Sequence, residues 1–500
     1  MDGSGAGKSA CYIKPNILQC LGSYVITDPK GELYRETSGY LKANGYEVRA
    51  FNLVNPEYSD RYNPLAHIID HQSVDVIAHT IVMGTKKEGA ASSDPFWDET
   101  AKMLLKAAIY YVISVLPEEE QNLSSCINII RAGGADDTVF KKLFIDELKP
   151  EHPGRKEYEN FSTAADKTMQ SIVVSTIAKI TAFDTPAMQK ITTSNNIDFD
   201  DLGNKKVALF VITSASDSTY DFISTIFFSQ MLQKLYLQAD RNGGTLNQQV
   251  YFLLDEFANI GQIPDFNKKL STTRSLGISI SIVVQSLDQL ESLYKDTYEN
   301  IIGNCDTQLF LGSQSIKTCE YFSKSLGQKT IRVKSKSVNK DKREKQGVSI
   351  SHQQQGRDLM TVDELKRLDP NEEILLVRTL KPIRAKKAWY FKYHPMRDVA
   401  KQYEIHNISE MPKTDDVPVK VMDVREHLKR REEKARQILE QRNRAATTQS
   451  QVITNNPQPP VINNQMVNTK TSNVPNENKE FDLQKELEKK FDELFGSDNN

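Results

Sequence analysis

Cysteine is scarce: Cys11, Cys20, Cys126, Cys305 and Cys319 are odd in number, scattered, and never in a C-x-x-C pair. That indicates neither a disulfide framework nor a zinc site, and it fits reduced thiols in a cytosolic setting. Long apolar runs are missing as well. A membrane helix needs about 20 successive apolar residues, whereas the best candidates, 207–213 and 278–284, have the length of strands. No charged stretch followed by an apolar one opens the chain, so nothing reads as a cleaved secretion signal. Neither sign of charge dominates: a formal net charge of −2 and a pI near 6.5 argue against a wholesale polyanion coat but leave room for local basic surfaces. What remains is a 500-residue chain, long enough for two or three domains with packed cores.

Short apolar runs alternating with helical patterns indicate an α/β domain over residues 1–66, with strands at 23–27 and 46–52. Over 67–196 the character changes to long amphipathic patterns such as 98–115 and 163–183, which predict an all-α domain inserted into the sheet domain. The α/β pattern resumes over 197–394, where runs at 206–213, 250–255, 278–285 and 307–312 are expected to restore one doubly wound, mostly parallel sheet. Residues 332–345 carry seven Lys/Arg against two acids and read as a mobile basic loop, either a phosphate-contacting element or plain solvated surface. Asp363 to Leu368 and a strand at 373–378 follow. A charged helical extension is predicted over 395–444, a disordered linker over 445–480, and an acidic amphipathic helix over 481–500 that reads as a tethered docking peptide or a solvated tail.

Gly3-Ser4-Gly5-Ala6-Gly7-Lys8-Ser9 precedes a helix, the arrangement that lets backbone N–H groups cradle phosphate oxygens. Lys8 would sit on the β/γ-phosphates of ATP and Ser9 on Mg²⁺. Asp2 stands where the full motif has glycine, and only Met1 stands where a strand is expected. Both departures read as a start within a longer gene; the alternative is a lost site. The run VYFLLDE ends in Asp255, which would reach the Mg²⁺ shell, and Glu256, which would orient or deprotonate an attacking water. Glu256 points to hydrolysis, since a mere binding module needs the metal but no base. Gln285, at the end of the next strand, is placed to sense the γ-phosphate or to cap the strand. Arg274 reads either as a guanidinium acting on a neighbouring subunit's site or as a surface arginine.

These residues, with YVITDPKGEL at 24–33, Phe51-Asn52-Leu53, Tyr62-Asn63-Pro64, Pro95-Phe96-Trp97, LDEFANIG at 254–261, Gly277 to Gln285, Arg357-Asp358-Leu359-Met360 and Asp363-Glu364-Leu365, give the chain a resemblance to the VirD4/TraG/TraD coupling proteins of conjugation and type IV secretion over about residues 3–394. The resemblance implies a RecA-like P-loop NTPase domain with an inserted all-α domain, assembled as a hexamer with ATP sites between neighbours. It implies that Lys8, Ser9, Asp255, Glu256, Arg274 and Gln285 fall on the family's Walker A, Walker B, arginine-finger-like and sensor positions. It further implies a coupling protein that recruits a relaxase-bound single-stranded DNA, or a protein, to the secretion channel. Such proteins usually carry transmembrane helices ahead of the P-loop, so the expected location is the cytoplasmic face of the bacterial plasma membrane, anchored by a region this sequence does not contain. An FtsK-like DNA translocase and a truncated, non-hydrolysing adaptor are the alternatives; TDPKGEL and the helical insertion disfavour the first.

Overall fold

The computed structural model describes residues 7–84, 95–165, 168–214, 219–338, 348–405 and 411–454. The chain divides into two compact units: Met1–His67, Val76–Ala91 and Ala182–Val419 form one, and Ile68–Asp75, Ser92–Thr181 and Lys420–Asn500 the other.

The first unit is built on five parallel strands: β1 (Ser23–Thr27), β2 (Glu47–Asn52), β3 (Val207–Ile212), β4 (Val250–Leu254) and β5 (Ile278–Ile282), in the order β2-β3-β1-β4-β5. Every residue of β1 and β3 is buried, as continuous apolar runs require when helices cover both faces of a parallel sheet. On one face Ile13, Ile17, Leu33, Tyr34 and Leu41 pack against Tyr24, Ile26, Phe210 and Leu253. On the other, Phe51 stacks on Phe227 of the helix Asp221–Arg241 with ring centroids 4.8 Å apart, and Tyr62 meets the same ring edge-on at 4.7 Å. The Tyr62 hydroxyl donates to Gln230, whose amide donates to the Pro64 carbonyl at 2.9 Å, so the polar atoms inside this aromatic layer are paired.

β6 (Thr307–Phe310) does not extend this sheet, contrary to expectation. It pairs antiparallel with β9 (Glu372–Val377), which also pairs with β10 (Ile383–Lys386), in a separate three-stranded sheet. Phe310, Phe322, Leu326, Leu365 and Ile374 give that sheet its own core. The part of the basic stretch that is described, 332–338, is strand rather than the expected loop, and 339–345 lies outside the described residues: β7 (Gln328–Val338) and β8 (Val348–Asp358) form an antiparallel ribbon eleven pairs long. β-Branched Ile331 and Val333 alternate with the charged residues and support extended backbone.

The second unit contains only helices among the described residues, chiefly Pro95–Val115, Leu123–Ala135, Pro153–Ala165 and Met169–Ile180. Leu104, Leu105, Ala108, Ile109 and Val112 on the first of these are fully buried. Asn122 caps the second by accepting from the Ser125 amide at 3.1 Å. Its Nδ2 donates to the Lys420 carbonyl at 2.8 Å, and Asn128 Nδ2 donates to that of Met422 at 3.0 Å, which brings the chain back to this unit before the long helix Val424–Thr454. That helix runs through 445–454, where disorder was expected; Ala445 and Ala446 carry strong helix propensity. Residues 455–500, including the expected acidic helix, lie outside the described residues, as do Gly3, Ser4, Gly5 and Ala6. No helix among the described residues is long and apolar enough to cross a membrane.

Candidate active site

The parallel register sets Thr27 of β1 beside Leu254 of β4, and Leu254 beside Ile282 of β5. The residues after these strands therefore emerge together at the carboxyl edge of the sheet, where open α/β sheets bind ligands. Gly7, at φ +81°, leads into the helical turns Ser9–Ile13 and Lys14–Ile17. Ser9 Oγ donates to Asp255 Oδ2 at 2.9 Å, across a sequence gap of 246 residues. Lys8 Nζ is buried and has no hydrogen-bond partner among the described residues. A buried ammonium without a partner is costly unless an anion joins it, so Lys8 fits a phosphate-bearing ligand.

Asp255 is buried, and burial lifts its carboxyl above the usual range while the Ser9 hydroxyl and the Lys8 charge pull it back. Its backbone carbonyl accepts from buried Thr27 Oγ1 at 2.8 Å, which ties β1 to the end of β4. Glu256 takes a left-handed conformation, φ 47° and ψ 51°, and its amide donates to Asp255 Oδ1 at 3.0 Å. Its two carboxylate oxygens accept from Asn259 Nδ2 at 3.2 Å and Gln285 Nε2 at 3.4 Å. Ser9, Asp255, Glu256 and Gln285 thus form one hydrogen-bonded group, a hydroxyl and two carboxylates with an amide against the outer one, and the charge of Lys8 acts on Asp255.

Arg274 stands apart. It lies in the turn Thr273–Leu276 before β5, at the amino edge of the sheet, and β5 alone spans about 16 Å at the usual strand rise. Its side chain is 91% exposed and pairs with Asp306 at 3.3 Å; Arg378 pairs with the same carboxylate at 3.0 Å. Nothing at its own carboxyl edge is within its reach.

Two parts of the surroundings were not singled out by the sequence reading, the pair Thr27 and Asp28 and, far along the chain, Trp389. Thr27 and Asp28 were visible only as part of a motif. Asp28, 1% exposed, accepts from the Tyr34 amide at 2.8 Å at the start of the helix Glu32–Ala43, and Gly31 supplies the left-handed turn between them at φ +68°. Burial lifts the Asp28 carboxyl to about 6 against the backbone N–H groups of Tyr34, Leu33 and Lys30. Trp389 is the other. A Cβ on Gly7 would lie 2.7 Å from its ring, so the indole covers the phosphate-loop backbone. The neighbouring Tyr390 ring takes Lys14 Nζ at 5.2 Å from its centroid. No local signal marks this contact, because some 380 residues separate the partners.

Comparison with known proteins bears on this group. Residues 1–413 match the family model described as type IV secretory system conjugative DNA transfer. The chain is 24% identical over 400 residues to the VirD4 protein of Agrobacterium fabrum, covering 78% of this chain and 58% of that one. It is 23% identical over 391 residues to the conjugal transfer protein TraG of Escherichia coli, covering 73% and 60%. The chain thus spans about three fifths of the length of these relatives. Among solved structures it is similar to the bacterial conjugative coupling protein TrwBdeltaN70 in complex with sulphate, with a TM-score of 0.51, 12% identity, and coverage of 77% of this chain and 83% of that one. That likeness is one of fold: a RecA-like P-loop sheet domain with an inserted all-α unit.

Proposed function

The chain belongs to the type IV secretory system conjugative DNA transfer family, and from that premise we propose that it is an ATP-hydrolysing coupling protein, which recruits a relaxase-bound single-stranded DNA or a protein substrate to a secretion channel and drives its transfer. The observation that carries this reading is the buried, partnerless Lys8 Nζ beside the Ser9–Asp255 hydrogen bond, with Glu256 next in line.

In this reading Lys8 and the loop amides hold the β- and γ-phosphates, and Ser9 and Asp255 hold Mg²⁺. The ion when bound supplies charge neutralisation on the phosphate oxygens. Ser9 Oγ donates to Asp255 Oδ2, and these two oxygens are the ones that would hold the ion. Glu256 orients the attacking water and takes its proton. Asn259 and Gln285 hold its carboxylate, and a ligand phosphate reaching Gln285 would be felt at the base through that amide. Arg274, exposed and remote from its own site, serves a neighbouring subunit's nucleotide in a homo-hexamer. The assembly works at the cytoplasmic face of the plasma membrane and meets the channel components there.

Titration of a fluorescent ATP analogue into the protein with Mg²⁺ tests the nucleotide reading. Saturable binding that weakens at least tenfold in Lys8→Ala is the expected result. Equal binding by both proteins, or none by either, would leave a non-hydrolysing adaptor as the better account.

A further inference from the structure

The β7–β8 ribbon has no place in the site described above. It is anchored firmly at one end. Gln328 Nε2 donates to Asp358 Oδ1 at 2.9 Å, and Arg357 pairs with Glu364 at 2.7 Å. Glu364 also completes a capping box with Thr361 on the short helix Val362–Lys366, and Leu326 and Leu365 at this base are buried in the core of the small sheet. Within the described strands, residues 328–338 and 348–357 contain no Asp or Glu, and Asp358 lies at this base; Asp341 and Glu344 of the intervening stretch lie outside the described residues.

Beyond the base the ribbon is bare. Every described side chain from 328 to 335 and from 350 to 356 is exposed, except half-buried Ile331. Residues directly opposite in an antiparallel pair share a face. The register therefore gathers Thr330, Arg332, Lys334, His352 and Gln354 on one side, through the pairs Arg332↔Gln354 and Lys334↔His352. Among the described residues neither Arg332 nor Lys334 has an ion-pair partner, unlike Arg357 at the base. Two further facts bear on what this face could hold. A two-stranded ribbon is marginally stable alone in water, and this one presents both faces to solvent. Arg332 and Lys334 also stand two residues apart, about 7 Å, with Gln354 and His352 directly opposite them.

We propose that this face binds the phosphodiester backbone of a nucleic acid strand, independently of sequence. The inference rests on the reading of the chain as a DNA-transfer protein and names the surface that holds the DNA. Unpaired Arg and Lys beside Gln and Thr are the groups that contact phosphate and sugar. An acidic protein surface is the weaker fit, because these two strands contain no Trp, Tyr, Phe or Met to serve as an interface anchor. With no Trp, Tyr or Phe, and His352 as the one ring on this face, there is no extended stacking platform, so base composition has little influence on binding.

The test is fluorescence anisotropy of labelled oligothymidylate with the full chain over a series of salt concentrations, repeated with a mixed-sequence strand and a duplex. Arg332→Gln/Lys334→Gln is compared with Lys42→Gln/Lys324→Gln, which removes equal charge from other exposed positions, and with Arg332→Lys/Lys334→Arg. The expected result is a salt slope lowered by roughly 1.4 in the first variant, two contacts at about 0.7 each for a single strand, with wild-type slopes in the other two. Single strand and duplex distinguish the form of DNA held. A wild-type slope in the first variant, or its weakened binding of polyglutamate in place of DNA, overturns the proposal. DNA binding that is the same with and without the two ribbon cations, together with intact ATP binding, defeats this inference alone; ribbon-dependent DNA binding in a protein that does not bind ATP defeats the motor reading and leaves the ribbon standing.

Discussion

Glu256 holds a backbone conformation that costs a non-glycine residue roughly 1–2 kcal/mol, and the return is a carboxylate turned outward past Asp255 while its amide stays on Asp255 Oδ1. Strain of this kind persists where surrounding contacts over-determine it. Here Asn259 and Gln285 hold the side chain, and the Phe257 amide pairs with the Val283 carbonyl at 3.0 Å. The acidic pair at 255–256 was legible because an apolar strand ending in two carboxylates announces itself; the strain was not, since nothing in Asp-Glu-Phe dictates a positive φ. His67 offers a measurable consequence of burial. It stacks on Phe199 at 4.3 Å, accepts no proton readily, and its pKa is pushed down to about 4 by desolvation. The unfolded chain binds that proton near 6.5 and the folded chain only near 4, so over this window the unfolded state holds more protons and stability falls as the pH falls. Asp28 works in the opposite sense between 3.8 and about 6, where the folded state keeps the proton. Urea denaturation of His67→Gln against wild type isolates the first effect: the variant is less stable at pH 7, and the gap narrows by pH 4.

At the scale of elements, β1, β3 and β4 were readable because both their faces are buried and the apolar run is unbroken. β6 was readable as a strand but not as a member of its sheet. Thr307-Gln308-Leu309-Phe310 specifies extended backbone with Phe310 the buried residue, and its antiparallel partner lies more than sixty residues away in β9. The ribbon was hidden by its charges, which mask the alternation of Ile331 and Val333. The helix Val424–Thr454 shows the same limit. Its charge pattern predicts a helix, yet its attachment depends on Glu147, a nearly buried carboxylate that takes Tyr111, His427 and Arg431 in one cluster. Replacing Arg431 by Ala leaves that carboxylate with the tyrosine and a histidine held largely neutral by burial. Because Arg431 is partly exposed, the expected loss is about 1–2 kcal/mol rather than the full value for a buried pair. Thermal unfolding of the helical unit measures it, and an unchanged midpoint would mean that Asn122, Asn128 and buried Met422 suffice.

For the whole molecule, sequence pattern separates sheet-forming from helix-forming stretches but does not say which distant segments close each unit. Residues 182–196 fall with the sheet unit and Lys420 onward with the helical one, through contacts such as Arg61–Asn196 in the former and Ser125–Met422 in the latter. The phosphate loop likewise depends on distant parts of the chain: Ser9 meets Asp255, and Gly7 lies under Trp389. These long-range contacts give the account its central claim, that Lys8, Ser9, Asp255 and Glu256 operate together as the chemical centre of a DNA-responsive motor. The direct test is Mg²⁺-dependent ATP hydrolysis with and without single-stranded DNA, in the wild type and in Glu256→Gln. The account predicts turnover that DNA stimulates in the wild type and that falls by roughly 10²-fold or more in the variant, with nucleotide binding retained. Equal turnover in the two proteins, or a wild type that binds ATP and never hydrolyses it, would contradict it.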